Sequence, residues 1–205
     1  MARPDGVGVV IAPRWRIVST PGADTGDEVR IVIDPGPGFG DGTHETTQLC
    51  LQAIAALAPR SRPWRMLDFG SGSGILGIGA AKLGAVVDAV EIDALAGAHG
   101  ERNARANWVD GRIRDAQTLE GTRGPFDLVV ANILRSILLE FADALVGRLA
   151  PGATLVLSGL VSTDVPQLGV RYGSLLGEQR PEVYERGVWR ALVWRRVLLK
   201  HKCLS

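Results

Sequence analysis

The run Met66-Leu-Asp-Phe-Gly-Ser-Gly-Ser-Gly74, followed by Val90-Glu-Ile-Asp93, constrains this chain more than any other feature. It reads as a hydrophobic strand with a carboxylate at its tip, a glycine loop, a helix, and a second hydrophobic strand ending in another acid. That is half of a nucleotide-binding α/β sheet, whose ligand lies at the carboxyl ends of the strands. Gly72, Gly74 and Gly77 match the G-x-G-x-x-G pattern of dinucleotide loops. Asp68 precedes them, however, and in a low-dielectric crevice a carboxylate repels a pyrophosphate strongly. S-adenosylmethionine has no phosphate, and its cationic amino group and sulfonium both tolerate a nearby acid. The loop, with Asp68, Gly72 and Gly74 at the ligand, therefore favours S-adenosylmethionine over a dinucleotide.

The rest of the chain alternates in the same way. Strands are expected at Trp64–Phe69, Val86–Ile92, Gly111–Arg114, Phe126–Ala131 and Ala153–Ser158. Helices are expected at Ile75–Leu83, Ala94–Asn107 and Ser136–Leu149, with a short one near Val165–Tyr172. Such alternation implies a mostly parallel sheet with helices on both faces. Gln179–Glu185 and Trp189–Val197 read as two closing strands, an antiparallel hairpin at the end of a seven-stranded sheet. Before the sheet, Val7–Ser19 and Glu28–Ile33 alternate as short strands joined by a loop over Thr20–Asp27. The expected organisation is a strand region over 1–33, a ligand-binding domain over 34–199 and a tail over 200–205.

A chain of 205 residues suits one α/β domain with a full core. The formal net charge of +1 gives no basic field for nucleic acid. The most apolar stretch, Ile75 to Val90, is interrupted by Lys82, Gly84 and Asp88, so no membrane span is expected. The first residues lack the apolar core of a signal peptide. Cys50 and Cys203 form no metal spacing and no disulfide framework, which makes a cytoplasmic location the default. The three histidines are far apart, so no metal site is expected.

Four further groups can carry chemistry. Glu91 ends the second strand about 20 residues past the loop, where an acid accepts hydrogen bonds from a ribose diol; Asp93 then caps the next helix. In the plainer reading both acids only cap. Asn132, at the tip of the fourth strand, offers an amide carbonyl to a substrate amine, unless it is a turn asparagine bonded to its own backbone. Asp115, at the end of the third, either reaches an adenine amino group or is a solvated loop acid. Asp34-Pro-Gly-Pro-Gly-Phe-Gly-Asp-Gly-Thr-His-Glu-Thr-Thr47 holds too much glycine and proline for regular structure. It reads as a shaped loop that folds over the sheet edge and then starts a helix, with Thr43 as N-cap. Phe39 can cover the cofactor with a face that attracts a sulfonium. Thr46 and Thr47 present hydroxyls at a helix N-terminus, where a cofactor carboxylate fits. His44 reads as a structural hydrogen-bonder rather than a general base.

Asp-Pro-Gly-x-x-Phe-Gly-x-Gly-Thr-His-x-Thr-Thr over 34–47, Leu-Asp-Phe-Gly-Ser-Gly-Ser-Gly-Ile-Leu over 67–76, Val-Glu-Ile-Asp over 90–93 and Val-Ala-Asn-Ile-Leu over 130–134 together resemble the PrmA family. Its members methylate amino groups of a large-subunit ribosomal protein. The resemblance runs from about Val29 to Trp194 and implies a Rossmann-like class I methyltransferase. It also implies that Thr47, Gly70, Glu91 and Asn132 contact the cofactor, and that Asn132 holds the acceptor amine. The chain departs from the family at Asp41, usually threonine, at Pro37–Gly38, usually larger and apolar, and at Glu91, usually aspartate. The expected reaction is N-methylation of an amine, a protein lysine or an N-terminal amino group. No counterpart of the family's N-terminal docking domain is expected, so a smaller amine or a short peptide is expected to be preferred over the free ribosomal protein. A small-molecule methyltransferase and a non-catalytic cofactor-binding module are the alternatives, with a nicotinamide oxidoreductase as a minor third.

Overall fold

Strand β3 (Trp64–Phe69) organises the molecule. Only Arg65 within it keeps appreciable surface, so helices must cover both faces, and β3 sits inside a parallel sheet. The computed structural model describes residues 14–18, 28–58 and 63–195. Its elements are β1 (Arg14–Val18), β2 (Glu28–Val32), α1 (Glu45–Leu57), β3, α2 (Ile75–Lys82), β4 (Ala85–Val90), α3 (Ala94–Ala106), β5 (Ile113–Ala116), β6 (Phe126–Asn132), α4 (Arg135–Glu140), α5 (Ala142–Val146), β7 (Leu149–Val161), α6 (Val165–Leu175), β8 (Glu182–Arg186) and β9 (Trp189–Trp194).

Seven strands form the main sheet in the order β5-β4-β3-β6-β7-β9-β8. All neighbours are parallel except the two pairs that include β9, so β9 alone runs against the rest. The expected closing hairpin is β8–β9, with β9 inserted beside β7. Strand order reverses between β3 and β6, which opens a crevice at their carboxyl ends. Alternation along each strand divides the core in two. Met66, Leu128, Val130, Val156 and Val193 meet α1 and α2 on one face. Leu67, Val129, Leu155, Leu157 and Trp194 meet α4, α5 and α6 on the other.

The small parallel pair β1–β2 packs into the first of these cores. Trp15 donates from its indole to the carbonyl of Leu51 in α1 (3.1 Å), and Ile33 N donates to Val18 O (2.9 Å). The expected strand continues over Val7–Pro13, and its link over Thr20–Asp27, outside the described residues, as do the 200–205 tail and the last residues of the Trp189–Val197 strand. No helix among the described residues is long and apolar enough to cross a membrane.

Several elements differ in their bounds from the sequence expectation. Among them, β8 begins at Glu182 and not at Gln179. Three differ for a visible reason. The helix read over Ser136–Leu149 bends at Phe141, whose ring packs on Phe69 with centroids 5.1 Å apart, and Leu149 already belongs to β7. Strand β7 is much longer than Ala153–Ser158. It absorbs Pro151 and Gly152 at a register shift against β6, between the pairs Phe126↔Leu149 and Leu128↔Thr154. A bulge is one of the few places where a strand accepts proline. The third strand starts later, at Ile113, because Asp110–Arg112 forms a single 3₁₀ turn.

Candidate active site

The glycine loop leaves β3 and hooks onto the end of β4. Gly70 N and Ser71 N both donate to Val90 O, at 2.9 and 3.0 Å. Asp68 lies beneath this loop with none of its surface exposed. Its Oδ2 accepts from Gly77 N in the first turn of α2 (2.8 Å), while Oδ1 has no hydrogen-bond partner among the described residues. Burial pushes the carboxyl from its ordinary 3.8 up to about 7; the Gly77 N–H opposes this shift and the charge of Glu91 adds to it. The sequence placed Asp68 beside a ligand. The structure buries it near the end of β3, with one oxygen bonded to α2 and the other without a partner among the described residues.

Glu91 stands half-buried past the end of β4. Its Oε2 accepts from Gly72 N (2.9 Å) and its Oε1 from Asp93 N (3.0 Å). Each carboxylate oxygen can take more than one donor, so both keep acceptor capacity toward the crevice. Asp93 caps α3 as expected, accepting from Leu95 N (2.8 Å) and Ala96 N (3.4 Å). Beside these acids Ile92 and Leu95 project into solvent, 87 % and 71 % exposed. Asp115 lies within β5, not past its end. Asn132 closes β6 opposite Ser158 of β7. Its Oδ1 is shielded from solvent and has no hydrogen-bond partner among the described residues.

The loop before α1 crosses this edge and presses backbone to backbone on the glycine loop. Ser73 joins them: its N donates to Phe39 O (2.9 Å) and its Oγ to Gly40 O (2.5 Å). A Cβ on Gly72, whose φ is +54°, would stand 2.6 Å from Phe39 O. A Cβ on Gly38 would stand equally close, 2.6 Å, to Gly72 C. Neither contact admits any side chain, which is the steric reason both loops are glycine-rich.

The cap of α1 is His44, not Thr43. Its Nδ1 accepts from Thr46 N (3.3 Å) and meets Thr46 Oγ1 (2.8 Å). Thr43 instead gives its N–H and hydroxyl to Asp41, at 2.8 and 2.7 Å, and these bonds hold the Asp41 carboxyl below its usual range. The buried Thr46 hydroxyl is therefore engaged by His44. Thr47 Oγ1 is buried without a partner. The His44 ring lies edge-on between Phe39 (5.4 Å between centroids) and Trp189 (4.9 Å). This aromatic row brings the start of β9 to the site. Sequence reasoning missed Trp189, and only its place at the head of a closing strand offered a signal.

Three buried polar atoms thus lack partners at one end of the sheet: Thr47 Oγ1, Asp68 Oδ1 and Asn132 Oδ1. Buried polar groups are almost always satisfied. Gln52 Oε1, Arg65 Nε and Arg114 Nη1 are also buried without a hydrogen-bond partner elsewhere among the described residues. But Thr47 Oγ1, Asp68 Oδ1 and Asn132 Oδ1 come from separate elements at one edge of the sheet, which makes that edge the candidate polar site.

Asp68 also makes stability depend on pH. A carboxyl whose folded pKa is raised keeps its proton longer in the native state. Native stability then falls as pH rises from 3.8 toward about 7 and levels off above. Asp68→Asn removes this penalty. Urea unfolding across that range should show wild type losing stability relative to the variant, with parallel behaviour above about pH 7. Equal pH profiles would show that Asp68 ionises freely in the fold.

Comparison with known proteins agrees with this geometry. The sequence profile of the ribosomal protein L11 methyltransferase (PrmA) family matches residues 4–197. The ribosomal protein L11 methyltransferase of Trichlorobacter lovleyi is 41 % identical over 196 residues, which are 89 % of this chain and 63 % of that protein. That of Rhizobium meliloti is 46 % identical over 143 residues, 66 % of this chain and 49 % of that protein. The chain thus spans between about half and three-fifths of the length of these relatives. The crystal structure of the ribosomal protein L11 methylase from Lactobacillus delbrueckii subsp. bulgaricus superposes with a TM-score of 0.73 at 34 % identity, covering 83 % of this chain and 87 % of that one. The seven-stranded sheet with its single reversed strand is the class I methyltransferase fold, and the chain belongs to the PrmA family of ribosomal protein L11 methyltransferases.

Proposed function

We propose that this chain binds S-adenosylmethionine along the carboxyl edge of β3, β4 and β6 and directs transfer of its methyl group to a protein amine. The observation that carries the reading is the set of unpartnered buried atoms at that edge. S-adenosylmethionine presents a cationic amine, a carboxylate and a ribose diol, and the residues present fit each of them. The Thr47 hydroxyl can donate to the carboxylate, Glu91 can accept from the diol, and the charge of Asp68 beneath the loop favours the cationic end. Gly70, Gly72 and Gly74 let the loop backbone approach closely. Phe39, 58 % exposed, stands ready to cover the ligand. A pyrophosphate in the same place would face both Asp68 and Glu91.

When bound, the cofactor supplies an electrophilic methyl group on a sulfonium. The protein's own part is to present a neutral amine with its lone pair aimed at that group. Free lysine has a pKa near 10.4, so its proton must be shed before transfer. The His44 and Trp189 rings, 4.9 Å apart between centroids, lower the local polarity, which disfavours the ammonium form. Asn132 Oδ1, needing a donor, accepts an N–H of the amine and so turns the lone pair away from itself. The remaining rate comes from holding both reactants in one geometry. A protein amine, lysine or N-terminal, is the acceptor class proposed, because the relatives are named for ribosomal protein L11. Methyl transfer to that protein, compared with transfer to free amines and short peptides, tests this choice.

Calorimetry should show binding of S-adenosylhomocysteine and none of NAD; the reverse result would sink the cofactor assignment. Glu91→Ala should weaken S-adenosylhomocysteine binding by about tenfold or more, since a hydrogen bond to a charged group is worth about 1.5–3 kcal/mol. Unchanged affinity in the folded variant would move the diol contact elsewhere. Asn132→Ala should lower kcat more than it lowers cofactor affinity. Normal turnover with poor cofactor binding would assign Asn132 to the cofactor instead.

A further inference from the structure

The buried face of α3 is polar where an amphipathic helix should be apolar. His99, Asn103 and Asn107 follow one another at four-residue steps, and all three are almost wholly buried. Burying such side chains is costly unless they are hydrogen-bonded. Here nearly every polar atom is bonded, and mostly to main chain. Asn107 brackets Val32, accepting from its N–H (2.8 Å) and donating to its carbonyl (2.7 Å). One turn back, Asn103 Oδ1 accepts from Asp34 N (3.1 Å) while its Nδ2 donates to Ser73 O (2.9 Å). A further turn back, the His99 ring spans Asp34 O (Nε2, 2.8 Å) and Gly38 N (Nδ1, 3.2 Å). The carbonyl can only accept and the amide can only donate. That pairing suits a ring that donates from Nε2 and accepts at Nδ1, and Asn103 Nδ2 lies 3.2 Å from the same Nε2.

These bonds take hold of the segment from Val32 to Gly38, which carries Phe39 to the site. Asn103 is the only side chain among the described residues shown to bond both this segment and the glycine loop. It does so at Ser73, the residue that also grips Phe39 O and Gly40 O. Packing alone does not require this arrangement: Ala96 and Ala104 bury the same helix without polar atoms. What the polar ladder adds is control over the path of a loop too rich in glycine to hold one by itself.

We propose that His99 and Asn103 are positioning residues for the cofactor: they hold the 34–40 loop closed against the glycine loop before ligand arrives. This rests on the reading of the crevice as an S-adenosylmethionine site. A loop ordered in advance does not have to be ordered by the ligand, so the ladder acts on affinity. It touches neither the acceptor nor the methyl group, so it does not act on the transfer step.

The experiment compares wild type with Asn103→Ala, His99→Leu and His99→Gln, at a temperature well below the melting point of each. The readouts are the Kd for S-adenosylhomocysteine, and KM for S-adenosylmethionine and kcat measured separately. Asn103→Ala and His99→Leu should raise both Kd and KM by about tenfold while kcat at saturating cofactor stays within about twofold. His99→Gln, whose amide can replace the Nε2–H donor, should recover much of the loss. A role confined to folding would lower the melting point and leave Kd and KM unchanged in the folded variants; that result overturns the proposal, as does a fall in kcat at constant KM. Wild type that binds no S-adenosylhomocysteine overturns the cofactor reading and the positioning role together, whereas tight binding by every variant overturns the positioning role alone. Should the variants fail to fold, amide exchange in ligand-free wild type still decides. Slow exchange at Asp34 and Gly38 is expected, and exchange at the rate of open chain would overturn the closed loop.

Discussion

The site depends on one contact, the meeting of two glycine loops at Ser73. One loop comes from β3, the other from the segment before α1, and neither has enough side chains to hold its own shape. Ser73 gives the second loop its amide and its hydroxyl and takes the Asn103 amide through its carbonyl. Three bonds at one fully buried residue thus fix the spacing between the two loops. Glycine at 38 and 72 is the steric condition for that spacing, because a Cβ on either would overlap the opposite main chain. Without this contact Phe39 and Thr47 would have no defined position relative to Glu91 and Asn132.

The acids of the site are spent first on the backbone. Asp68 bonds Gly77 N, Glu91 bonds Gly72 N and Asp93 N, and Asp93 bonds the first amides of α3. Each carboxylate faces the N-terminus of a helix or the loop that leads into one, where free N–H groups and the helix dipole favour negative charge. The acids therefore build the pocket wall, and what they offer a ligand is the acceptor capacity left over. The Glu91 side chain reaches Gly72 N and Asp93 N together, and its oxygens still face the crevice edge.

Strong local signals made much of this legible in the sequence. The β3 strand, the glycine loop and the start of α2 were readable to the residue, because apolar runs, a tip acid and clustered glycines all point one way. The places of Glu91 and Asn132 at the carboxyl edge were legible because strand ends in a parallel sheet face one crevice. The misses have a common cause, which is partners distant in sequence. Pro151-Gly152 reads as a turn until β6 is present to absorb a bulge. His44 displaces Thr43 as cap because the Asp41 carboxylate has already engaged Thr43. The polar residues on the buried face of α3 were not singled out in the sequence, because they bond main chain far away, at Val32, Asp34, Gly38 and Ser73. Trp189 reaches the site only once β9 is inserted beside β7.

Two buried carboxylates show how the fold separates stability from function. Asp88 and Asp68 lie on adjacent strands, one register step apart and on opposite faces of the sheet. Both are almost fully buried. Asp88 accepts from Arg123 N (2.6 Å) and stands between Arg65 (3.5 Å) and Arg114 (3.9 Å). Its charge is surrounded by compensation, as a structural buried acid requires. Asp68 has a single amide and one empty oxygen, and burial raises it to about 7. The same scaffold that satisfies one acid with two arginines leaves the other short. The shortfall therefore belongs to the position at the strand's carboxyl end, and not to any inability of this sheet to neutralise a buried charge. That end also holds the unpartnered Thr47 Oγ1 and Asn132 Oδ1, so the shortfall is gathered at one edge of the sheet.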